Sequence, residues 1–412
     1  GEDKIDYSGF NSSISLIRGG SVDKGIFGID TFVDFYEEIY ATKTNFDWID
    51  GLTGGGNIAS LDINLEKNSL NVFNLPGVGE FNSKVYDFEN ISGSNTNDKL
   101  IGDKLDNEII GNDGDDVIDG GGGNDVIEGG SGADLIYGSK GNDTITFGSG
   151  EDKIDYSGFN SSISLIRGGS VDKGIFGMDT FVDFYDEIYA TSSDSDWING
   201  FSDEDLNTTL DINLFSNNLR INGIPNFGLI DLGIYNFENV EGTNNNDSII
   251  GDASINQLIG NDGDDFLDGL SGNDILSGGE GYDTFVVHQN FGVTTIQDFN
   301  LEEDSLDLDF LSYENFQIEQ ENNNSLIKKD GINYATLIDI NASDLIREGN
   351  RIIGKSDDYT GDINTEGILD IGESIDGELE KSGDRDWFLI SLDDSKTYQF
   401  DLIGNSLSDP YL

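Results

Sequence analysis

The sequence contains no cysteine, which removes disulfide bonds, thiolate metal sites and cysteine nucleophiles together. It has one histidine, His288, so a zinc-binding H-E-x-x-H helix and a Ser–His–Asp triad both lack their parts. No G-x-S-x-G elbow and no Walker or dinucleotide glycine motif occurs in a strand-to-helix context. Three prolines in 412 residues are too few for a proline-rich tail. No apolar run approaches the length of a membrane span, about 18 residues or more. Bases are scarce as well: 21 Lys and Arg stand against 81 Asp and Glu, a formal net charge of −60. Phosphate neutralisation needs a basic patch, so nucleic acid is excluded as a partner.

What is present points to a folded chain. Glycine is abundant at 55 residues, and 25 Phe, 15 Tyr and 3 Trp supply apolar surface to bury. The length suits two or three domains. A folded body of this charge repels itself unless cations neutralise it.

Internal repeats decide the architecture. Residues 1–42 recur at 150–191 with two differences, Ile29 to Met178 and Glu37 to Asp186. Further on, Leu61–Leu65 matches Leu210–Leu214 and Phe88–Asn90 matches Phe237–Asn239, so one large unit is duplicated in tandem. Inside each unit the chain runs in nines. Frames from Gly93 to Asp155 carry Asp98, Asn107, Asp116, Asp125, Asp134, Asp143 and Asp152 at the sixth position. Their eighth positions hold Leu100, Ile109, Ile118, Ile127, Ile136, Ile145 and Ile154. A second block, Gly242 to Val286, carries Asp247, Asn256, Asp265, Asp274 and Asp283, with Ile249, Leu258, Leu267, Leu276 and Phe285. Gly1 to Asp6 reads as the tail of a further frame.

Each frame is a Gly/Asn/Asp-rich turn followed by a three-residue strand. Only the central strand residue points inward, so one frame offers one apolar side chain and stacked frames build an apolar column. The same stacking aligns the Asp side chains at strand spacing, about 4.8 Å, where unpaired carboxylates repel strongly. A hard divalent cation with six to eight oxygen ligands relieves this, and carboxylates with free turn carbonyls are the set calcium prefers. Glycine-rich turns without metal are the alternative; the phase-locked Asp argues against it.

The frames GGGGNDVIE (120–128), GGSGADLIY (129–137) and GSKGNDTIT (138–146) resemble the G-G-x-G-x-D-x-U-x nonapeptides of RTX (repeats-in-toxin) proteins. The resemblance implies an all-β fold, a right-handed parallel β-roll or β-solenoid in two tandem units. Two nonapeptides would form one coil, with Ca2+ between turns two frames apart. By position, Asp116, Asp134 and Asp152 would line one side of the first roll, and Asp125 and Asp143 the other. In the second roll Asp265 and Asp283 would share a side, with Asp274 opposite. Carbonyls around Gly123, Gly132 and Gly141 would complete the shells. Asp98 and Asp247 belong to the same ligand series, although Thr96 stands where the family prefers glycine. Asn107 and Asn256 replace Asp, and frame 147–155 opens with Phe147. The first and last turns are therefore expected to bind weakly or not at all, leaving on the order of five to eight calcium ions.

The expected organisation is a frame tail at 1–6, a degenerate solenoid segment at 7–92, calcium block one at 93–155, the duplicate segment at 156–241, calcium block two at 242–286, a β cap at 287–354 and a partial domain at 355–412. Residues 38–51 align on 89–102, placing Asp47 on Asp98 and Ile49 on Leu100. The degenerate segments read as wider coils with longer loops. Trp48 and Trp197, beside Asp47 and Asp196, pack the roll or stack on a sugar. In the cap, 294–299 and 304–308 resemble the segment that follows the last RTX turn, and strands are expected at 316–319, 326–328 and 335–340. The tail, through Gly383–Phe388 and Thr397–Leu402, resembles the start of a bacterial pre-peptidase C-terminal β-sandwich. His288 reads as structural, and no catalytic residues are assigned. With 81 acids, glycosidase-like carboxylate pairs arise by chance, and the plain reading of those acids is calcium ligation or a solvated face.

The functional expectation is a calcium-binding RTX region of a secreted, extracellular bacterial protein that folds on calcium binding and acts as a rigid structural module. The alternative is the accessory C-terminal region of a secreted hydrolase, most plausibly a peptidase, whose catalytic domain lies elsewhere. Calcium ions are the expected partners, and the resemblance implies export through a type I secretion channel, a route that the absent cysteines and leader pattern fit.

Overall fold

The computed structural model describes residues 3–17, 21–31, 36–44, 46–51, 59–75, 79–166, 169–193, 195–200, 208–224, 228–289, 292–309 and 316–355. The chain divides into a unit of residues 1–353 and one of 354–412. The pre-peptidase-like tail lies outside the described residues.

The described chain is almost wholly β, and two sheets run side by side through its first unit. In block one the strands Lys99–Ile101, Val117–Asp119, Leu135–Tyr137 and Lys153–Asp155 pair in parallel, with Leu100, Ile118, Ile136 and Ile154 opposite one another. The alternate frames form the second sheet, Asn90–Ser92, Glu108–Asp113, Val126–Ser131 and Thr144–Ser149, and align Ile91, Ile109, Ile127 and Ile145. One coil is therefore two nonapeptides. Block two repeats the pattern, stacking Ile249, Leu267 and Phe285 in one sheet and Val240, Leu258, Leu276 and Ile296 in the other. All of these residues are buried, as expected when one side chain in three must make the core.

The register tolerates no side chain at certain turn positions. Gly141 has φ +121°, and a Cβ there would run into the Gly123 carbonyl one coil back. Gly132 and Gly150 stand in the same relation to Gly114 and Gly132. Glycine is required by close approach and by positive φ at once.

The segments 7–92 and 156–241 continue the same apolar ladders. Ile39 pairs with Ile5 and Val85, Ile49 with Leu16 and Ile91, and Ile63 with Leu100. They depart from a purely parallel roll because antiparallel strands are inserted. Ser15–Ile17, Ser21–Asp23 and Ile29–Thr31 fold back on one another, as do Ser60–Asn64, Ser69–Leu75 and Gly79–Tyr86. The duplicate repeats both insertions. Their strands reach seven and eight residues, long enough to reverse at a tight turn, and Asn68 and Asn217 take the left-handed conformation there. Both sheets end antiparallel. Phe316–Glu321, Asn324–Lys329 and Ile332–Leu337 form a meander on one, and Arg351–Gly354 pairs with Ser305–Asp309 on the other. These strands cover edges that would otherwise expose unpaired backbone groups.

Candidate metal centre

The sixth-position side chains form ladders that run along the turns. The backbone N–H of Asp98 donates to Oδ1 of Asp116 at 2.8 Å, Asp116 to Asp134 at 2.9 Å, and Asp134 to Asp152 at 2.9 Å. On the other side Asn107 donates to Asp125 at 2.8 Å and Asp125 to Asp143 at 2.9 Å. In block two Asp247 donates to Asp265 at 2.7 Å, Asp265 to Asp283 at 2.9 Å, and Asn256 to Asp274 at 3.0 Å. Each step spans 18 residues, one coil. The structure thus brings together Asp116, Asp134 and Asp152, Asp125 and Asp143, and Asp265 and Asp283, with Asp274 opposite the last pair.

Every ladder carboxylate is buried. One oxygen is committed to the N–H of the preceding coil. For Asp116, Asp125, Asp134, Asp265 and Asp283 the other, Oδ2, is buried with no hydrogen-bond donor. Such an atom is costly unless a cation or a proton meets it. Without metal a proton is favoured: burial first, then the neighbouring carboxylates, push Asp116, Asp125 and Asp265 up to about 8. The same causes bring Asp283 to about 7, and Asp134 and Asp274 to about 6. These oxygens face cradles where the backbone also offers oxygen. A Cβ placed on Gly129 would lie 2.6 Å from Asp134 Oδ2 and 2.6 Å from the Phe147 carbonyl. A carboxylate oxygen without a donor and a main-chain carbonyl sharing one small space fit a hard, oxygen-seeking cation. Among the described residues no group of three or more His, Cys, Asp or Glu side chains could hold a metal ion. A cation here would need main-chain oxygen beside Asp. The ladder Asp and the turn carbonyls are the residues that would hold calcium, which would supply positive charge at the buried Oδ2 atoms.

Asp98 and Asp247 are organised differently from the rest of the series. Asp98 Oδ1 accepts the N–H of Leu61 at 2.6 Å and Oδ2 that of Ser94 at 2.5 Å. Asp247 takes the N–H of Leu210 at 2.6 Å and of Thr243 at 2.5 Å. Asp47 and Asp196 have the same geometry, bound by Ile14 and Thr42 and by Ile163 and Thr191. The alignment of Asp47 on Asp98 is thus matched in space, and these four carboxylates close turns with proton donors. The signal in the sequence is a hydroxyl early in the turn: Ser94, Thr243, Thr42 and Thr191.

Sequence reading also missed the ladder ends. The Asp152 N–H donates to Asp186 Oδ2 at 2.7 Å, Asp143 to Asp179 Oδ1 at 3.2 Å, and Asp283 to Asp304 Oδ1 at 3.0 Å. These acceptors lie outside the nine-residue phase, where periodicity gives no pointer. Trp48 and Trp197 are half-buried in strands within the sheet. His288 lies between Asp268 (Nε2 to Oδ1, 2.8 Å) and Asp309 (Nδ1 to Oδ2, 3.1 Å). Among the described residues no helix is long and apolar enough to cross a membrane.

Comparison with known proteins bears on these ladders. The family model described as the RTX calcium-binding nonapeptide repeat matches in four copies, at residues 92–127, 119–154, 241–276 and 250–285. Both blocks are RTX repeats of the kind that bind Ca2+. Among solved structures the chain is similar to the extracellular lipase LipA from Serratia marcescens, at 21% identity over 60% of this chain and 38% of that one, with a TM-score of 0.17. It spans well under half of the lipase's length. No curated protein matches the sequence.

Proposed function

We propose that this calcium-binding repeat region belongs to a secreted bacterial protein, stays unfolded at low calcium inside the cell, and becomes a rigid structural module outside it. The observation that carries the reading is the set of five buried Asp Oδ2 atoms without a donor. The ligands are Asp116, Asp125, Asp134, Asp152, Asp265, Asp274 and Asp283, completed by turn carbonyls including those of Gly123, Gly132 and Gly141. Asp98 and Asp247 serve as turn-closing acceptors.

The energetic argument is linkage. An ion that binds only the folded form stabilises it by about 2.7 kcal/mol per site at a hundredfold excess over Kd. Several sites offset the self-repulsion of a chain with net charge −60. Without the ion the same carboxylates oppose folding. Export through a type I channel suits a chain that remains unfolded until it meets calcium. The activity expected of the fragment itself is none, since no catalytic constellation is present in its sequence.

A calcium titration followed by circular dichroism tests the reading. The β signal should rise cooperatively with calcium and vanish in excess chelator. A native signal that persists in chelator at about pH 8 or above would overturn it. A second reading, the accessory region of a secreted hydrolase, is favoured by the pre-peptidase-like segments 383–388 and 397–402. The sequence flanking the chain distinguishes the two.

A further inference from the structure

A lysine meets the end of the ladder Asn107–Asp125–Asp143–Asp179. Lys173, in the connection between the antiparallel strands Ser170–Asp172 and Met178–Phe181, is fully buried, as are its two carboxylate partners Asp143 and Asp179. Its ammonium stands 3.3 Å from Asp143 Oδ2 and is paired with Asp179 Oδ1. One coil earlier the equivalent oxygen, Asp125 Oδ2, has no donor. Ser139 Oγ adds a bond to Asp143 Oδ2 at 2.9 Å, and Tyr156 OH one to Asp179 Oδ2 at 2.7 Å. Asp179 also accepts the Asp143 N–H through Oδ1, so it is the next carboxylate of the same ladder. A fully buried ammonium is rare unless it is paired, and here two coils supply the pairing.

The chain contains its own comparison. The duplicate positions Lys24, Asp30 and Tyr7 make the same triad, with Lys24 to Asp30 at 2.6 Å and Tyr7 OH to Asp30 at 2.9 Å. The Lys–Asp–Tyr triad is thus part of the duplicated unit, and in the second copy it closes around the carboxylate of Asp143.

We propose that Lys173 is a tethered cation occupying the position that calcium takes between earlier coils, so that this side of the first roll joins the next unit without a metal ion. The inference rests on the ligand reading given above. Removing the ammonium should then create a calcium site from Asp143, Asp179 and the adjoining turn.

Two measurements on the full chain test it. The first is a crystal structure of the unaltered protein in saturating calcium, with the ions located by anomalous scattering. Ions at Asp125 and Asp134, with Lys173 Nζ still between Asp143 and Asp179, support the proposal. An ion between Asp143 and Asp179 with Lys173 displaced overturns it. No ion at any ladder carboxylate overturns the ligand reading itself. The second is native mass spectrometry of Lys173→Ala. One calcium more than the unaltered protein, together with a melting temperature that becomes more calcium-dependent, is expected. A folded variant with an unchanged count overturns the proposal. If the variant fails to fold, the crystal structure still decides.

Discussion

The backbone N–H of Asp125 donates to Oδ1 of Asp143, one coil downstream, at 2.9 Å, and leaves Asp125 Oδ2 buried with no donor. Asp125 in turn accepts the N–H of Asn107 through Oδ1, so it holds the previous coil with one oxygen and keeps the other without a donor, as do Asp116, Asp134, Asp265 and Asp283.

Asp134→Asn tests that division. The amide oxygen still accepts the Asp116 N–H, but the anionic Oδ2 is gone. The calcium midpoint for folding should rise, with a loss of roughly 2–3 kcal/mol at a hundredfold excess of calcium. Asp98→Asn is the contrast, because its new amide N–H faces the donors of Ser94. It should cost about 1–3 kcal/mol and leave the number of bound calcium ions unchanged. Isothermal titration combined with urea denaturation separates the two.

Acid should replace calcium in part. Burial raises the ladder carboxyls from 3.8, to about 8 for Asp116, Asp125 and Asp265. A group whose folded pKa exceeds its unfolded one favours folding fully below the unfolded value, and that advantage is lost as pH rises through the folded one. The metal-free chain should be most ordered near about pH 4 and lose its β signal progressively by about pH 8. Saturating calcium should flatten this dependence, as circular dichroism across pH would show.

His288 carries a separate pH signature. The hydrogen bond to Asp268 raises it above 6.5, and Asp309 adds to the effect. A raised histidine stabilises below its unfolded pKa, and the contribution disappears as pH climbs through the folded one. His288→Gln in saturating calcium should therefore melt below the unaltered protein at pH values under the unfolded pKa, and the gap should close as pH rises through the raised folded one.

The turn glycines are not equivalent. Gly141→Ala places a Cβ against the Gly123 carbonyl at φ +121°, and it should destabilise the roll by roughly 3 kcal/mol or more. Gly331, at φ +79° with open space around it, should cost only about 1 kcal/mol on the same change. Calcium-loaded thermal denaturation of both variants gives the comparison.

The repeating part of the fold was legible because one residue in nine had to be apolar and one acidic. The apolar column and the line of acids follow from that spacing, whereas the stacking of Ile118 on Ile136 and of Asp116 beside Asp134, two frames apart, was what the RTX resemblance implied. The ladder ends were not legible. Asp179, Asp186 and Asp304 sit beyond loops that break the phase, so only the folded chain brings them to the last N–H. Nor did composition distinguish Asp98 from Asp116, since the difference lies in whether a serine hydroxyl and its N–H reach the second oxygen. Lys173 was hidden for another reason: a lysine in a polar stretch reads as solvated, and its burial depends on a coil packed above it.

Every ladder step has one polarity. The N–H lies upstream and the carboxylate that receives it lies a coil downstream, from Asp98 through Asp152 and from Asp247 to Asp304. The two ends of a ladder are therefore not equivalent. Cutting a block after its last coil strands a buried N–H, whereas cutting it before its first coil frees a carboxylate oxygen that can still take a proton or a cation.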